Sequence, residues 1–423
     1  MSYFSSIFDL LLSKIEDFSM DVFREGSVTD RRFLAEMMFG MLKSGSTVLG
    51  NIVHSLSLKC QLKKGIERFS RHLGEEFPKG WEEKYRKLVI SQMPRKSLIF
   101  CVDDSDIAKV YGRKFEDLGT VRDASSPDKK LVKGYHVTSI VGLSENERQP
   151  IPVFDKIHSS ATAGYTSVND ITFSGISYCC IGLSDFSATF IFDRGYDDVK
   201  FFNHIEELHQ YFLIRGTSKR NVMEKRKKIN VFEYAKRYKG KIATKIRIKG
   251  MEYDAKITVK LVKLSKVKRK LWLIICWTDA DIEEPLKIFF TNAKLDSKEG
   301  VLEWSRRYGE RWKIEEFFRF KKTQMEMENF RVRSLTAINN ILMIQDFCVY
   351  FLAMLIEGNG VIYHEAMRRA KDYGLKSIVK YYQLEDGLRH LMQHKRVQGF
   401  ECGRRKREKQ ISLEKEFKKA SQK

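Results

Sequence analysis

The chain has 423 residues, of which 43% are hydrophobic and 12% aromatic, so it can bury one large core and is not a disordered protein. It carries 77 Lys or Arg against 55 Asp or Glu, and the formal charge of +22 calls for a polyanionic partner, nucleic acid or an acidic membrane surface. A membrane span is not expected, because the longest apolar-rich run, Ile341 to Ile356, is short and broken by Gln345 and Asp346.

Residues 1–95 read as helical. Phe4, Ile7, Leu10, Leu11 and Ile15 recur at helical spacing, and Asp9 and Glu16 among them argue against a signal peptide. Further amphipathic stretches cover Phe33–Leu42, Thr47–Leu58 and Trp81–Ser91, with turns at Gly45-Ser46 and Pro78-Lys79-Gly80. Lys59, Lys63, Lys64, Arg68 and Arg71 cluster between them. That suits a small helical DNA-binding region, or equally a helical cap with a solvated basic face.

After Pro94 the pattern changes to strands: Ser97–Val102, Tyr135–Leu143, Ile151–Ile157 and Ala188–Phe192, followed by a helix over Asp197–Leu208. Strand-like runs continue at Tyr211–Ile214, Thr244–Ile248, Ala255–Leu264, Leu271–Trp277 and Ile288–Thr291. Between Arg215 and Lys270 there are 21 Lys or Arg against four acids. The basic surface is therefore concentrated in one β-rich insertion. From Ser297 on the chain turns helical, through Met343–Ile356, Tyr363–Tyr373 and Ile378–His394, before a basic, mobile tail. The expected fold is mixed α/β. Its divisions are a helical region 1–95, a core over 96–210, a basic β insertion over 211–293, a helix that returns to the core within 294–335, a helical region 336–394 and the tail 395–423. The seven cysteines form no CxxC pair, which argues against zinc and a disulfide framework and places the chain in the cytoplasm.

Two acids follow apolar strands. Asp193 follows Thr189–Phe192, and Asp103 follows Leu98–Val102 and opens Asp103-Asp104-Ser105-Asp106. Strand ends are where α/β sheets expose functional groups, although such an Asp can equally cap a turn. A third acid lies in a helix expected from Tyr308 to Lys322. At 100° per residue Tyr308, Arg311, Glu315 and Lys322 share one narrow arc ~20 Å long, while Ile314, Phe317 and Phe318 face the other way. A solvated face with paired charges is the plain alternative. Three acids on separate elements are what phosphodiester chemistry with two divalent cations needs, and flanking cations suit phosphates.

Tyr308-x2-Arg311-x3-Glu315-x6-Lys322 resembles the YREK signature of the IS-four family of insertion-sequence transposases. Asp193-Arg194-Gly195-Tyr196, Asp103-Asp104-Ser105 and the strand Tyr135–Ser139 resemble that family's other segments, over residues 97 to 335. The resemblance implies an RNase H-like core whose Asp103, Asp193 and Glu315 are catalytic and bind two Mg²⁺ or Mn²⁺ ions. Asp104 stands as the alternative to Asp103. It implies that Arg311 and Lys322 contact phosphates and that Tyr308 supports the DNA. The expected partners are double-stranded DNA, at terminal inverted repeats and target sites, and a second copy in a synaptic dimer, on the nucleoid and not on a membrane. Dimer contacts are expected from the helical region 336–394, where Ile341–Ile356 is unusually apolar. At the position of the family's base-stacking Trp this chain has Lys287, and Trp272 or Trp277 is the substitute unless both belong to the core. A DNA-binding regulator without catalysis and an RNase H-like nuclease are the competing readings.

Overall fold

Apolar residues at helical spacing, with Ile7, Leu11 and Ile15 fully buried, form α1 (Tyr3–Val22). Next, α2 (Val28–Ser44) starts with a capping box between Ser27 and Asp30 and ends at Gly45, whose φ of +61° suits a residue without Cβ. Three shorter helices follow: α3 (Leu49–Ser55), α4 (Leu62–Leu73) and α5 (Trp81–Ser91). The computed structural model describes residues 3–122, 130–183, 186–248, 251–279, 286–371, 380–393, 397, 400 and 402.

The chain then enters the sheet through β1 (Leu98–Ala108), β2 (Gly119–Arg122), β3 (Leu131–Leu143) and β4 (Pro150–His158). After α6 (Val168–Cys180) come β5 (Ala188–Phe192), α7 (Val199–Glu207) and β6 (Tyr211–Arg215). The basic region supplies β7 (Asn221–Glu224), β8 (Lys227–Asn230), α8 (Val231–Lys236), β9 (Ile242–Ile248), β10 (Met251–Leu264), β11 (Lys270–Thr278) and β12 (Leu286–Thr291). Helices complete the fold: α9 (Lys298–Arg307), α10 (Trp312–Thr323), α11 (Leu335–Gly358), α12 (Val361–Arg369) and α13 (Tyr381–Met392). The C-terminal ends expected for the last two helices, and nearly all of the tail 395–423, lie outside the described residues.

All twelve described strands belong to one hydrogen-bonded mixed sheet, in the order β2-β3-β1-β5-β6-β12-β11-β10-β7-β8, with β4 on β3 and β9 on β10. Among the described strands only β1–β5 and β5–β6 pair in parallel. Tyr211–Arg215, grouped from sequence with the insertion, therefore completes the central parallel run. The insertion strands continue that sheet through Phe289↔Arg215 and Phe290↔Ile214.

Three sequence expectations change. First, β1 does not end at Val102: its ladder to β3 continues from Phe100 to Ala108, because the long β3 offers backbone partners whatever the side chains are. Second, no single helix runs from Tyr308 to Lys322. Tyr308–Arg311 form a 3₁₀ turn that joins α9 to α10.

Third, Ile341–Ile356, the apolar stretch of the region 336–394 expected to supply dimer contacts, is itself mostly buried. Within α11 it is packed inside this chain, with Phe347 ringed by Phe18, Phe23, Phe77, Trp81 and Tyr85. By length and composition Leu335–Gly358 is apolar enough to cross a membrane, but 78% of that window is buried here, which makes it a core helix.

Candidate active site

Side chains alternate across a strand, so adjacent acids in β1 point to opposite faces of the sheet. Asp103 shares a face with Cys101, whose thiol contacts the Glu310 carbonyl, and so looks toward the 3₁₀ turn and α10. Arg311 in that turn donates to Asp103 Oδ2 at 3.2 Å and, through its other terminal nitrogen, to Glu315 Oε1. One guanidinium thus spans the two acids. The Asp104 backbone N–H donates to Asp103 Oδ1 at 3.0 Å. Burial pushes the Asp103 carboxyl up to about 7, against the pull of Arg311 and that N–H, and the nearby Asp104 and Asp193 carboxylates add to the rise.

Asp193 sits immediately after β5 and before a 3₁₀ turn over Arg194–Tyr196. Its Oδ1 accepts the Tyr308 hydroxyl at 3.2 Å. The Tyr308 ring lies 4.4 Å from that of Phe289 in β12, so the insertion side of the sheet holds the residue that touches Asp193. Burial pushes the Tyr308 phenol up to about 12, so it serves as a donor.

Asp104 is held on the other face, where its two oxygens accept the hydroxyls of Thr138 and Tyr196, both at 2.6 Å. Burial raises its carboxyl above the usual range, opposed by those two hydroxyls. The two alternatives for the first acid thus differ in surroundings: Asp103 faces Arg311, and Asp104 faces Thr138 and Tyr196. Asp106 follows on the Asp104 side and meets His136 Nδ1 at 2.7 Å, which raises the imidazole's affinity for a proton.

Lys322 lies farther along α10, donating to the Asp106 carbonyl at 3.0 Å and pairing with Glu328 at 2.8 Å. The six sequence candidates thus form one contact group (Asp103, Arg311, Glu315), a pair beside it (Asp193, Tyr308) and a rim cation. The donor set is three carboxylates, hard oxygen ligands of the kind Mg²⁺ and Mn²⁺ take, and two of them converge on the one Arg311 guanidinium. Among the described residues no three His, Cys, Asp or Glu side chains already close into a metal cage.

Trp272 and Trp277 are half-buried against the core, and Trp277 donates its indole N–H to the Tyr238 carbonyl at 2.8 Å. Lys287 pairs across the ladder with Cys276.

Two residues next to the site had no sequence assignment. Tyr196 stands in the Asp193-Arg194-Gly195-Tyr196 segment and holds Asp104. Lys321 is fully buried and donates at 2.5 Å to both Asp155 in β4 and Asp346 in α11. Its signal was there to find: at 100° per residue it falls in the arc of Ile314 and Phe317, a Lys between apolar residues that face the core.

The family model described as transposase DDE domain matches residues 95–352, a span that takes in β1, β5, the basic strands, α10 and most of α11, and the chain belongs to that family. It is a DDE transposase. The family acts on DNA, and its domains normally use divalent metal ions. No curated protein matches the chain.

Proposed function

We propose that this transposase moves an insertion sequence by a cut-and-paste route, nicking DNA at terminal inverted repeats and joining the freed 3′ ends to a target. The observation that carries this reading is the Arg311 bridge, which puts Asp103 of β1 and Glu315 of α10 at one place while Tyr308 ties Asp193 to the same turn. The spacing of Tyr308, Arg311, Glu315 and Lys322 supports placement in the IS-four family. The run β4–β3–β1–β5–β6, with acids on β1 and after β5, supports an RNase H-like core.

In this reading Asp103, Asp193 and Glu315 hold two Mg²⁺ or Mn²⁺ ions, which supply Lewis-acid chemistry at the phosphodiester. The protein's own contribution is positioning and charge. Arg311 and Lys322 flank the acids and bind the phosphates on either side of the scissile bond, while Tyr308 orients Asp193 and supports the strand. The helical region 1–95 and the basic strands bind the flanking duplex. A second copy completes a synaptic pair, with both held on the nucleoid in the cytoplasm. Trp272 and Trp277 are the aromatic faces available to stack an unpaired base.

The test is Asp193→Asn with duplexes carrying the DNA that flanks the reading frame. Loss of Mg²⁺-dependent cleavage with binding retained supports the reading. Continued cleavage at the same bonds sinks the assigned triad.

A further inference from the structure

The tip of the β7–β8 hairpin has the wrong residues for its shape. The ladder pairs Glu224 with Lys227, leaving Lys225 and Arg226 as a two-residue loop. Both have positive φ, +45° and +69°. A two-residue hairpin loop with positive φ at both positions is the type I′ pattern, which favours Asn-Gly because a longer side chain crowds the backbone there. Here the loop is Lys-Arg, followed by Lys227 and Lys228, and all four side chains are exposed. None of the four has an acidic partner among the described residues, and the adjacent Glu224 is already paired with Arg237 at 2.9 Å. Strain kept at a charged, exposed tip points to a use for the charge.

The hairpin is rooted beside the acid cluster. Asp197, four residues after Asp193, has a fully buried carboxylate. It accepts the Thr217 N–H at 2.8 Å and Arg220 Nε at 2.9 Å, while Arg220 also donates to the Asp197 carbonyl. On the returning side, Asn230 Nδ2 reaches the Ser218 carbonyl at 2.6 Å and the Val231 N–H reaches the Arg220 carbonyl at 2.9 Å. Four residues of strand carry the tip ~13 Å from this anchor.

We propose that β7–β8 is a DNA-gripping finger whose tip, Lys225 to Lys228, holds the sugar–phosphate backbone of the duplex next to the catalytic acids. The inference rests on the DNA-cutting reading above and names a part of the insertion that carries it out. The finger gives up turn stability for phosphate contacts. It is not part of the chemistry, so cleavage of saturating DNA does not depend on it.

The experiment uses the full chain and a fluorescent duplex of about 30 base pairs, with anisotropy measured from about 50 to 200 mM salt. Replacing Lys225→Asn together with Arg226→Gly supplies the residues the turn favours and removes two cations. The expected result is a raised thermal midpoint with about tenfold weaker binding and a salt slope smaller by about 2. Lys225→Gln with Arg226→Gln removes the same charges without relieving the turn, and is expected to weaken binding equally with no rise in midpoint. Wild-type affinity and salt slope in the Asn-Gly variant overturn the proposal, as they would if the tip served a protein or a membrane. A midpoint that fails to rise overturns the trade between strain and charge. Asp193→Asn, run on the same duplex, reports on the cleavage reading separately: continued cleavage there counts against the triad and not against the finger.

Discussion

Arg311 and Asp103 meet across the gap between the 3₁₀ turn and β1, Nη1 to Oδ2 at 3.2 Å, on the side of Arg311 opposite its bond to Glu315. A guanidinium in that position lowers the negative potential that attracts a divalent ion, and it is also the nearest cation for a phosphate. Arg311→Gln should therefore split two measurements. Mn²⁺ binding without DNA, followed by calorimetry, is expected to tighten several-fold, while end cleavage falls on the order of 10²-fold. Arg311→Lys should not restore cleavage, since one ammonium does not reproduce the two-pronged geometry. Unchanged metal affinity in Arg311→Gln would show that Arg311 does not share the carboxylates' field.

Opposite faces of β1 give the two adjacent acids different fates. Asp103→Asn should abolish cleavage to within the assay floor, a loss of about 10³-fold or more. Asp104→Asn keeps an acceptor for one of the two hydroxyls and disturbs the other. Its cleavage should fall only about tenfold, together with a lower thermal midpoint. The reverse ranking would assign the first acid to Asp104.

The Tyr308 hydroxyl reaches Asp193, and its ring packs on Phe289. Tyr308→Phe keeps the ring and removes one donor to a carboxylate. The expected effect is a kcat lower by about tenfold with KM for the duplex unchanged. A rise in KM alone would make Tyr308 a DNA-binding residue with no hold on Asp193.

The side chains of Lys321, Asp155 and Asp346 are all within 1% of complete burial, and Ser139, the cross-strand neighbour of Asp103, donates to Asp155 at 2.8 Å. The cluster pins the helix that carries Glu315 to β4 and α11. Lys321→Met strands buried carboxylates and should cost about 3–5 kcal/mol in denaturant unfolding. Burial and the neighbouring Asp155 push the Asp346 carboxyl well above its usual range, against the pull of Lys321. Asp346→Asn should accordingly stay within about 1 kcal/mol of wild type. A large loss in Asp346→Asn would mean that Lys321 depends on the Asp346 carboxylate as its partner.

Glu385 in α13 is fully buried and bonded to Arg389 at 2.6 Å, and burial pushes its carboxyl up to about 7 against the pull of that arginine. In the unfolded chain it ionises near 4.5, so between pH 4.5 and about 7 the folded state holds the extra proton. Stability from this group is therefore full below about pH 4.5 and declines as pH rises to about 7. Glu385→Gln removes the decline. Its midpoint relative to wild type should climb from pH 5 to pH 7 and then level off. A flat difference across that range would mean that Glu385 ionises as readily folded as unfolded.

The sequence carries most of the strand and helix positions because apolar periodicity reports which face is buried, as at Ala188–Phe192 and Trp81–Ser91. It misplaces the end of β1, since the residues past Val102 are polar and only the β3 ladder makes them strand. It also misses the short β7 and β8, where charge hides the alternation. Glu315 and Arg311 were legible as neighbours because four residues of spacing put them one turn apart. That Arg311 also reaches Asp103 was not, because no local pattern encodes a contact 208 residues away in the chain. The apolar stretch in α11 was read as a surface for a second copy, since periodicity cannot say whether a helix apolar on most sides is covered by its own chain or by another.

The pairing of β6 with β12 also governs how the molecule is made. The two strands lie some 75 residues apart in sequence and everything between them is the basic region, so the central run has an open border until Phe289 and Phe290 arrive. Such distant closure is slow, and a bare, mostly apolar strand border invites pairing with another molecule in the meantime. The basic region is thus its own shield: during synthesis the uncovered border of β6 is followed by a strongly cationic stretch, whose mutual repulsion keeps neighbouring chains apart until the sheet is complete. A shortened version lacking residues 216–291 would keep the acids yet leave that border exposed, and aggregation would be its dominant behaviour.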